Sequence, residues 1–456
     1  MAITDNITAT AGDGARRRVS FPLADPTKSA FFWLSMFFVV YCARPGDYVP
    51  LLGYIPMAKI TGILAMWGLF NSVGRTKRSL RDMPQEGRLL FYIVCLFFIG
   101  GFLSPVWKGG AVSKSIEFSK IIVAWSLIFL LITTFDRLRR IIWIQTVSVV
   151  VACSAAIIKG HDVDRLNSVL GGIYSNPNDL AFAVVLALPF ALLFMVISKN
   201  MVVRALWVGG MLIMLFTIFL TASRAGFIDL VISGSVTLYF FAIKGKRPTL
   251  LVGTVLTAVL IAGTVGGKLY DRFTALQGGS TTEQSAYGSY QDRMYLMKRA
   301  VEAIEHYPIF GIGARNFPTY SGIWRDVHMT YLQAASEGGI PVLILYLLFF
   351  RRGFQNLKIL RKRKDLDPST TLFVGALTSS LVGFVIGALF APETFQYFPY
   401  FAVGFTAALV RTLKEMDEES PQGDGPVAPP LKRGRHFLEA YDFGRTDAVS
   451  AVNNVR

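Results

Sequence analysis

A chain of 456 residues in which 53% of side chains are hydrophobic and 17% charged, with a mean hydropathy of +0.47, lies outside the range of soluble domains and reads as a polytopic membrane protein. Its net charge of +16 would point to nucleic acid in a soluble protein, but here it must first be divided among loops, and that division assigns most of it to topology rather than to a ligand. Cys42, Cys95 and Cys153 sit far apart inside apolar runs without CxxC or metal-ligand spacing, which argues against a disulfide framework and a metal site.

Residues 1–28, including "MAITDNITATAGDGARRRVS", carry arginines ahead of the first apolar run without a small-residue cleavage site. They read as a cytoplasmic tail rather than a cleaved signal. Within 29–265, apolar runs of about 17 to 22 residues, the length that crosses hydrocarbon, fall near 30–43, 53–73, 89–104, 118–135, 141–158, 179–198, 202–221, 225–243 and 249–265. Three more fall near 331–350, 370–391 and 396–411, within the stretch 329–411. The expectation is an all-α bundle of about twelve spans. Alternate loops, "RTKRSLRDMPQEGR", "DRLRR", "SKNMVVR", "KGKR" and "RRGFQNLKILRKRKD", hold about 20 Lys and Arg against about 6 in the other short loops. This bias assigns the first set and both termini to the cytoplasm. Residues 412–456 are polar and rich in Pro and Gly, and read as a disordered cytoplasmic tail.

Four segments are then expected on the outer face: "HDVDRLNSVLGGIYSNPND", "TASRAG", residues 266–328, and "APETFQ". The third is the only large one. Its "GGSTTEQSAYGSYQ" is loop-like, and "DRMYLMKRAVEAIEHYP" predicts an amphipathic helix with Asp292 as N-cap, an apolar face of Met294, Met297, Val301 and Ile304, and a stop at Pro308. "IFGIGARNFPTYSGIW" then leads to His328 at the mouth of the tenth span. No internal repeat is visible, which disfavours an inverted-repeat transporter.

Candidate chemistry gathers on this face. Arg224, in "LFTIFLTASRAGFIDLVISG", either marks a tight turn and snorkels to the headgroups, pairs with Asp229, or binds a phosphate through its planar fork of donors. The positive-inside rule disfavours an arginine here, and its small neighbours Ala222, Ser223, Ala225 and Gly226 leave room for a ligand. His328 is either a surface or capping residue at a helix start, or a general base for a hydroxyl. Tyr331 and Leu332 share its face on an ideal helix, and Glu337 lies opposite unless the helix breaks at Gly338 and Gly339. In "SNPNDLAFA", Asn178 or Asp179 could cap the sixth span, while Asn176, Asn178 and Asp179 could instead hydrogen-bond sugar hydroxyls.

"TASRAG", "DRMYLMKRAVEAIEHYPIFGIGARNF" and "HMTYLQAASEGGIPVLILYL", in this order over roughly residues 165–350, resemble the O-antigen ligase and O-antigen polymerase superfamily of bacterial envelope glycosyltransferases. The resemblance implies a helical transmembrane fold of the glycosyltransferase C kind in the inner membrane, with the active site facing the periplasm. It also implies transfer of a glycan from undecaprenyl diphosphate to a hydroxyl acceptor, without nucleotide sugar, cofactor or essential metal ion. Arg224 matches the arginine of the family's "SR" turn and Arg293 the one that opens the loop helix. His328 matches the histidine of its His-x-x-Tyr/Leu-Glu-Gly-like pattern, although Thr330 stands where many relatives carry asparagine.

On that reading His328, Arg224 and Arg293 are catalytic, and Asn176, Asn178, Asp179, Tyr331 and Arg315 surround the substrate, with Lys298 or Arg299 adding charge. The partners are the lipid-linked donor, a lipid or glycan hydroxyl acceptor and the bilayer, and no nucleic acid. The first expectation for the acceptor is a lipid A core sugar, as in a ligase. A lipid-linked repeat unit, as in a polymerase, or a protein serine or threonine would use the same donor site. A transporter is the alternative of another class.

Overall fold

The computed structural model describes residues 25–72, 76–160, 166, 170–174, 176–257, 259, 263 and 281–419, and for 281–290 the backbone alone. The expected terminal tails before 25 and after 419, His161, and residues 278–280 at the start of "GGSTTEQSAYGSYQ" lie outside the described residues; from Thr281 on, that expected loop is helical instead. Among the described residues there is no strand, and the chain is an all-α, multi-pass helical membrane protein.

In chain order the helices are α1 (Lys28–Ala43), α2 (Met57–Phe70), α3 (Gln85–Leu103), α4 (Lys108–Leu131), α5 (Phe135–Lys159), α6 (Pro177–Ile197), α7 (Met201–Thr221), α8 (Arg224–Leu238), α9 (Pro248–Thr257), α10 (Thr281–His306), α11 (Phe317–Ser321), α12 (Thr330–Lys362), α13 (Pro368–Gly387) and α14 (Tyr397–Glu419). A π-helical turn, Tyr239–Ile243, extends α8. Local signals set the ends. Arg44 adopts a left-handed φ of 50° and Pro45 follows, which stops α1. The Thr134 hydroxyl accepts from the Arg137 amide to open α5, and Asp367 accepts from Ser369 and Thr370 to open α13.

Helices α1 to α9 and α12 to α14 fall on the expected apolar runs. Among the described residues, seven helices are long and apolar enough to cross a membrane by length and composition; α1, α2 and α9 are shorter, and α4 and α14 are long but more polar. Two expected ends move. The α4 helix starts at Lys108, ten residues before the apolar run at 118, because "KGGAVSKSIE" is itself helical. The α14 helix continues past 411 to Glu419, where Glu415, Asp417 and Glu419 pair with Arg78, Arg363 and Lys77.

The α10 helix begins at Thr281, well before Asp292, so Asp292 is not its cap; instead it pairs with Arg325. The expected apolar face is also displaced. Leu296, Ala300 and Ala303 are buried in a small core with Ile312, Phe317 and Val327, whereas Met294, Met297 and Val301 are exposed and Ile304 is half-buried. The helix carries two apolar stripes, and spacing alone could not say which one packs inward. Alanines at i+4 and i+7 from Leu296 permit the closer approach.

The α12 helix breaks at Gly339, whose φ is 83° and ψ 171°. Residues 308–313 lie along the break. The Ile312 amide donates to the Ser336 carbonyl at 2.9 Å, Gly313 to Glu337 at 3.0 Å, and Ile340 to Pro308 at 2.7 Å. A Cβ on Gly339 would stand 2.2 Å from the Ile309 carbonyl oxygen, and one on Gly311, at φ 66°, 2.5 Å from the Glu337 carbonyl carbon. Both positions therefore require glycine. The buried Glu337 carboxylate accepts the amides of Arg315 at 2.9 Å and Phe317 at 3.2 Å. It anchors the segment after α10 to the membrane helix and does not orient His328.

Candidate functional site

A cavity of about 1650 Å³ opens at the end of the bundle where α6, α8 and α12 begin. Arg224, Arg293 and His328, far apart in the chain, line it together with Asn176, Asn178, Asp179 and Arg315. Tyr331 does not. It sits in the first turn of α12, and its hydroxyl donates to the Val385 carbonyl at 2.9 Å, a packing contact with α13 rather than a substrate contact. The capping residue of α12 is Met329, so His328 precedes the helix. Tyr331 and Leu332 therefore do not share a helical face with it, and Leu332 packs on the small core under α10.

The letters of "TASRAG" divide the work of building the Arg224 turn. Ala222 takes the left-handed conformation at φ 47°. The Ser223 hydroxyl accepts the Gly226 amide at 3.0 Å and donates to the Asn178 side-chain oxygen at 2.7 Å, tying α8 to α6. Gly226 packs so closely that a Cβ there would stand 2.6 Å from the Ala181 Cβ. Arg224, the first residue of the helix, is left half-buried, and no ion pair engages it among the described residues. The Asp229 pairing is not formed. Asp229 is buried, neither of its carboxylate oxygens has a hydrogen-bond partner, and Oδ2 lies against Gly387 of α13.

Arg293, on α10, also lacks an ion pair among the described residues. Burial, and then the neighbouring Arg224 guanidinium, hold it below the ordinary arginine range. Two guanidinium groups repelling each other at a partly desolvated site can receive an anion. His328 completes the group. Its Nδ1 is buried without a partner, and burial, followed by the positive charges of Arg293 and Arg325, pushes the imidazole down to about 4. At neutral pH the ring is uncharged and able to accept a proton.

The remaining residues have structural partners. At the start of α6 the cap is Asn176, whose side-chain oxygen accepts the Asn178 amide at 2.9 Å, and Pro177 is the first helical residue. Neither Asn178 nor Asp179 caps. Arg315, at φ 60°, pairs with Asp326 at 3.1 Å. Arg299 is engaged by Glu302 and the Tyr320 carbonyl, and neither it nor Lys298 lines the cavity. Thr330 donates to the Ala391 carbonyl at 2.6 Å and accepts the Glu393 amide at 3.0 Å. It thus positions the loop between α13 and α14 and does not line the cavity.

Several cavity residues were not picked out from the sequence. Arg325 and Asp326 lie three and two residues before His328. Asp179 lies near the buried Glu393, and burial, followed by the neighbouring Asp179 charge, raises the Glu393 carboxyl well above its usual range. Lys114, Glu117 and Lys120 line the cavity from α4. Their i, i+3, i+6 spacing is the available signal, masked by the apolar residues between them. "APETFQ" contains Glu393, but its neighbour Asp179 is more than two hundred residues away.

With this geometry in hand, similarity to known proteins becomes informative. Residues 209–347, which run from α7 through Arg224, Arg293 and His328 into α12, match the family model described as O-Antigen ligase. The chain is 21% identical to the teichuronic acid biosynthesis protein TuaE of Bacillus subtilis (strain 168), over 85% of this chain and 86% of that one. These similarities agree with the O-antigen ligase and polymerase superfamily, and support a membrane glycosyltransferase of the ligase or polymerase type.

Proposed function

We propose that the protein transfers a glycan from undecaprenyl diphosphate to a hydroxyl acceptor at the outer face of the cytoplasmic membrane, without a metal ion. The observation that carries this reading is the convergence of Arg224, Arg293 and His328 on one cavity, with both guanidinium groups outside any ion pair among the described residues. In the reaction the acceptor oxygen attacks the anomeric carbon, the bond from that carbon to the diphosphate oxygen breaks, and the hydroxyl proton passes to His328. Negative charge develops on the leaving diphosphate. Each well-placed guanidinium contributes roughly 3 to 4 kcal/mol to its stabilisation, by analogy with oxyanion donors. Direct attack gives inversion at the anomeric carbon.

An imidazole held at about 4 is neutral but a weak base. The donor diphosphate would change this. Its negative charge would offset Arg293 and Arg325 and raise the proton affinity of His328, so the base would strengthen only once the donor is in place. This dependence limits proton abstraction in the empty site.

The acceptor expected of a ligase is a lipid A core sugar. The polymerase reading, with a lipid-linked repeat unit as acceptor, draws support from the relative named for teichuronic acid biosynthesis. A glycolipid profile of a deletion strain separates the two. Long unattached chains on the lipid carrier support the ligase, short attached chains support the polymerase, and an unchanged profile contradicts both.

A further inference from the structure

The cavity has a second cationic region, on the wall built by α2 and α4. Lys59, Ile63 and Met66 of α2 line it at i, i+4 and i+7, and Lys120, Val123 and Leu127 of α4 at i, i+3 and i+7. Each helix thus turns toward the same cavity a stripe that starts with a lysine and continues as hydrocarbon for about 10 Å, at 1.5 Å per residue. The two helices follow α1 and α3, respectively, in successive antiparallel pairs, so both stripes run in the same direction.

The other charges on this wall are already matched. Lys114 pairs with Glu117 at 2.9 Å and Arg44 with Asp47 at 2.6 Å. Lys59 and Lys120 have no ion pair among the described residues, and both are exposed. Ile63 is 64% and Met66 46% exposed, so the protein itself does not fill the apolar part. A lysine within a span ordinarily faces water or an anion. Two of them at the head of paired apolar stripes fit one class of molecule, a hydrocarbon chain ending in an anionic group.

We propose that the α2–α4 wall is a second binding slot of the cavity and takes a lipid with a phosphate-bearing headgroup, which presents the acceptor hydroxyl. The assignment as acceptor slot rests on the reading that Arg224 and Arg293 hold the donor diphosphate. Two sources share the headgroup chemistry, an isoprenoid-linked glycan and a phosphorylated acyl lipid.

The test uses the full-length protein in nanodiscs of zwitterionic lipid, with farnesyl diphosphate as probe and stoichiometry read by native mass spectrometry. Wild type is expected to bind two molecules. The double variant Lys59→Gln/Lys120→Gln should retain one, and Lys59→Arg/Lys120→Arg should restore the second, which separates lost charge from lost fold. Arg224→Gln/Arg293→Gln should lose the other molecule. Loss of one molecule in the lysine variant with no loss in the arginine variant would leave the slot standing and remove the donor assignment. Two molecules still bound at unchanged affinity in the lysine variant, or a single molecule in wild type that only the arginine variant loses, would overturn the slot. Displacement of the second molecule by phosphatidylglycerol identifies an acyl lipid as occupant, and displacement by undecaprenyl phosphate alone identifies an isoprenoid one.

Discussion

Two groups of arginines, one at each end of the bundle, stand in opposite situations. At the end that carries the basic loops, Arg78 is buried, donates to the Phe129 and Ile132 carbonyls at 2.7 Å and pairs with Glu415 at 2.8 Å. Arg137 is held by Asp25, Thr27 and the Leu131 carbonyl and lies 4.7 Å from the Phe31 ring centre, and Arg363 pairs with Asp365 and Asp417. At the cavity end Arg315 and Arg325 are paired with Asp326 and Asp292, but Arg224 and Arg293 have no ion pair among the described residues, and each increases the other's cost. A charge that is saturated by protein holds helices together. A charge left unsaturated in a partly dry cavity has electrostatic capacity available for something that arrives later. Arg224 and Arg293 are therefore the arginines we propose to act on the substrate.

Breaking the comparison at the cavity end should produce the largest effects. His328→Ala is expected to lower transfer about a hundred- to ten-thousand-fold with membrane abundance unchanged; glycan transfer in membranes and immunoblotting of the same samples check it, and full activity would remove the base. Arg224→Gln should cost about a hundred- to a thousandfold in turnover. Arg224→Lys should fall between that variant and wild type, because an ammonium lacks the guanidinium fork. Wild-type rates in Arg224→Lys would favour simple snorkelling.

At the opposite end the expected phenotype changes in kind. Glu415→Gln strands Arg78 without its charge partner and should destabilise the protein by up to about 3 kcal/mol, read as a lower melting temperature and lower abundance with unchanged activity per folded molecule. The smallest effect is on pH. Below about 4 the free protein's His328 gains a proton, so kcat/KM should be flat at higher pH and fall as pH drops through that value. Arg293→Gln removes a cation that depresses the imidazole, so the acid limb should move upward toward the ordinary histidine range near 6.5. A limb that stays in place would mean that Arg293 does not act on His328.

Most of the fold was legible because hydrocarbon length is written directly into apolar runs. The arginine turn and the histidine were legible because they punctuate those runs, whereas Arg293 was legible only through the family resemblance. The rest depended on contacts across the chain. Spacing on α10 could not distinguish the stripe through Leu296, Ala300 and Ala303 from the exposed one through Met294, Met297 and Val301. Glycines 338 and 339 hinted at a break, but that Glu337 would cap the amides of Arg315 and Phe317 depends on residues 308–313 threading past it. Tyr331 was misassigned because the chain before Thr330 is not helical, which invalidates the shared helical face. The charged side of α4 stayed hidden among apolar neighbours.

If Arg224, Arg293 and His328 form one receptor for a diphosphate, ligand must change the imidazole's proton affinity. Isotope-labelled histidine NMR of the full-length protein, titrated with and without farnesyl diphosphate, tests it most directly, with His328→Gln assigning the resonance. The expected result is a midpoint near 4 in the empty protein and an upward shift when the probe is bound. An ordinary midpoint near 6.5 without ligand, or a midpoint that the diphosphate leaves unmoved, would contradict it.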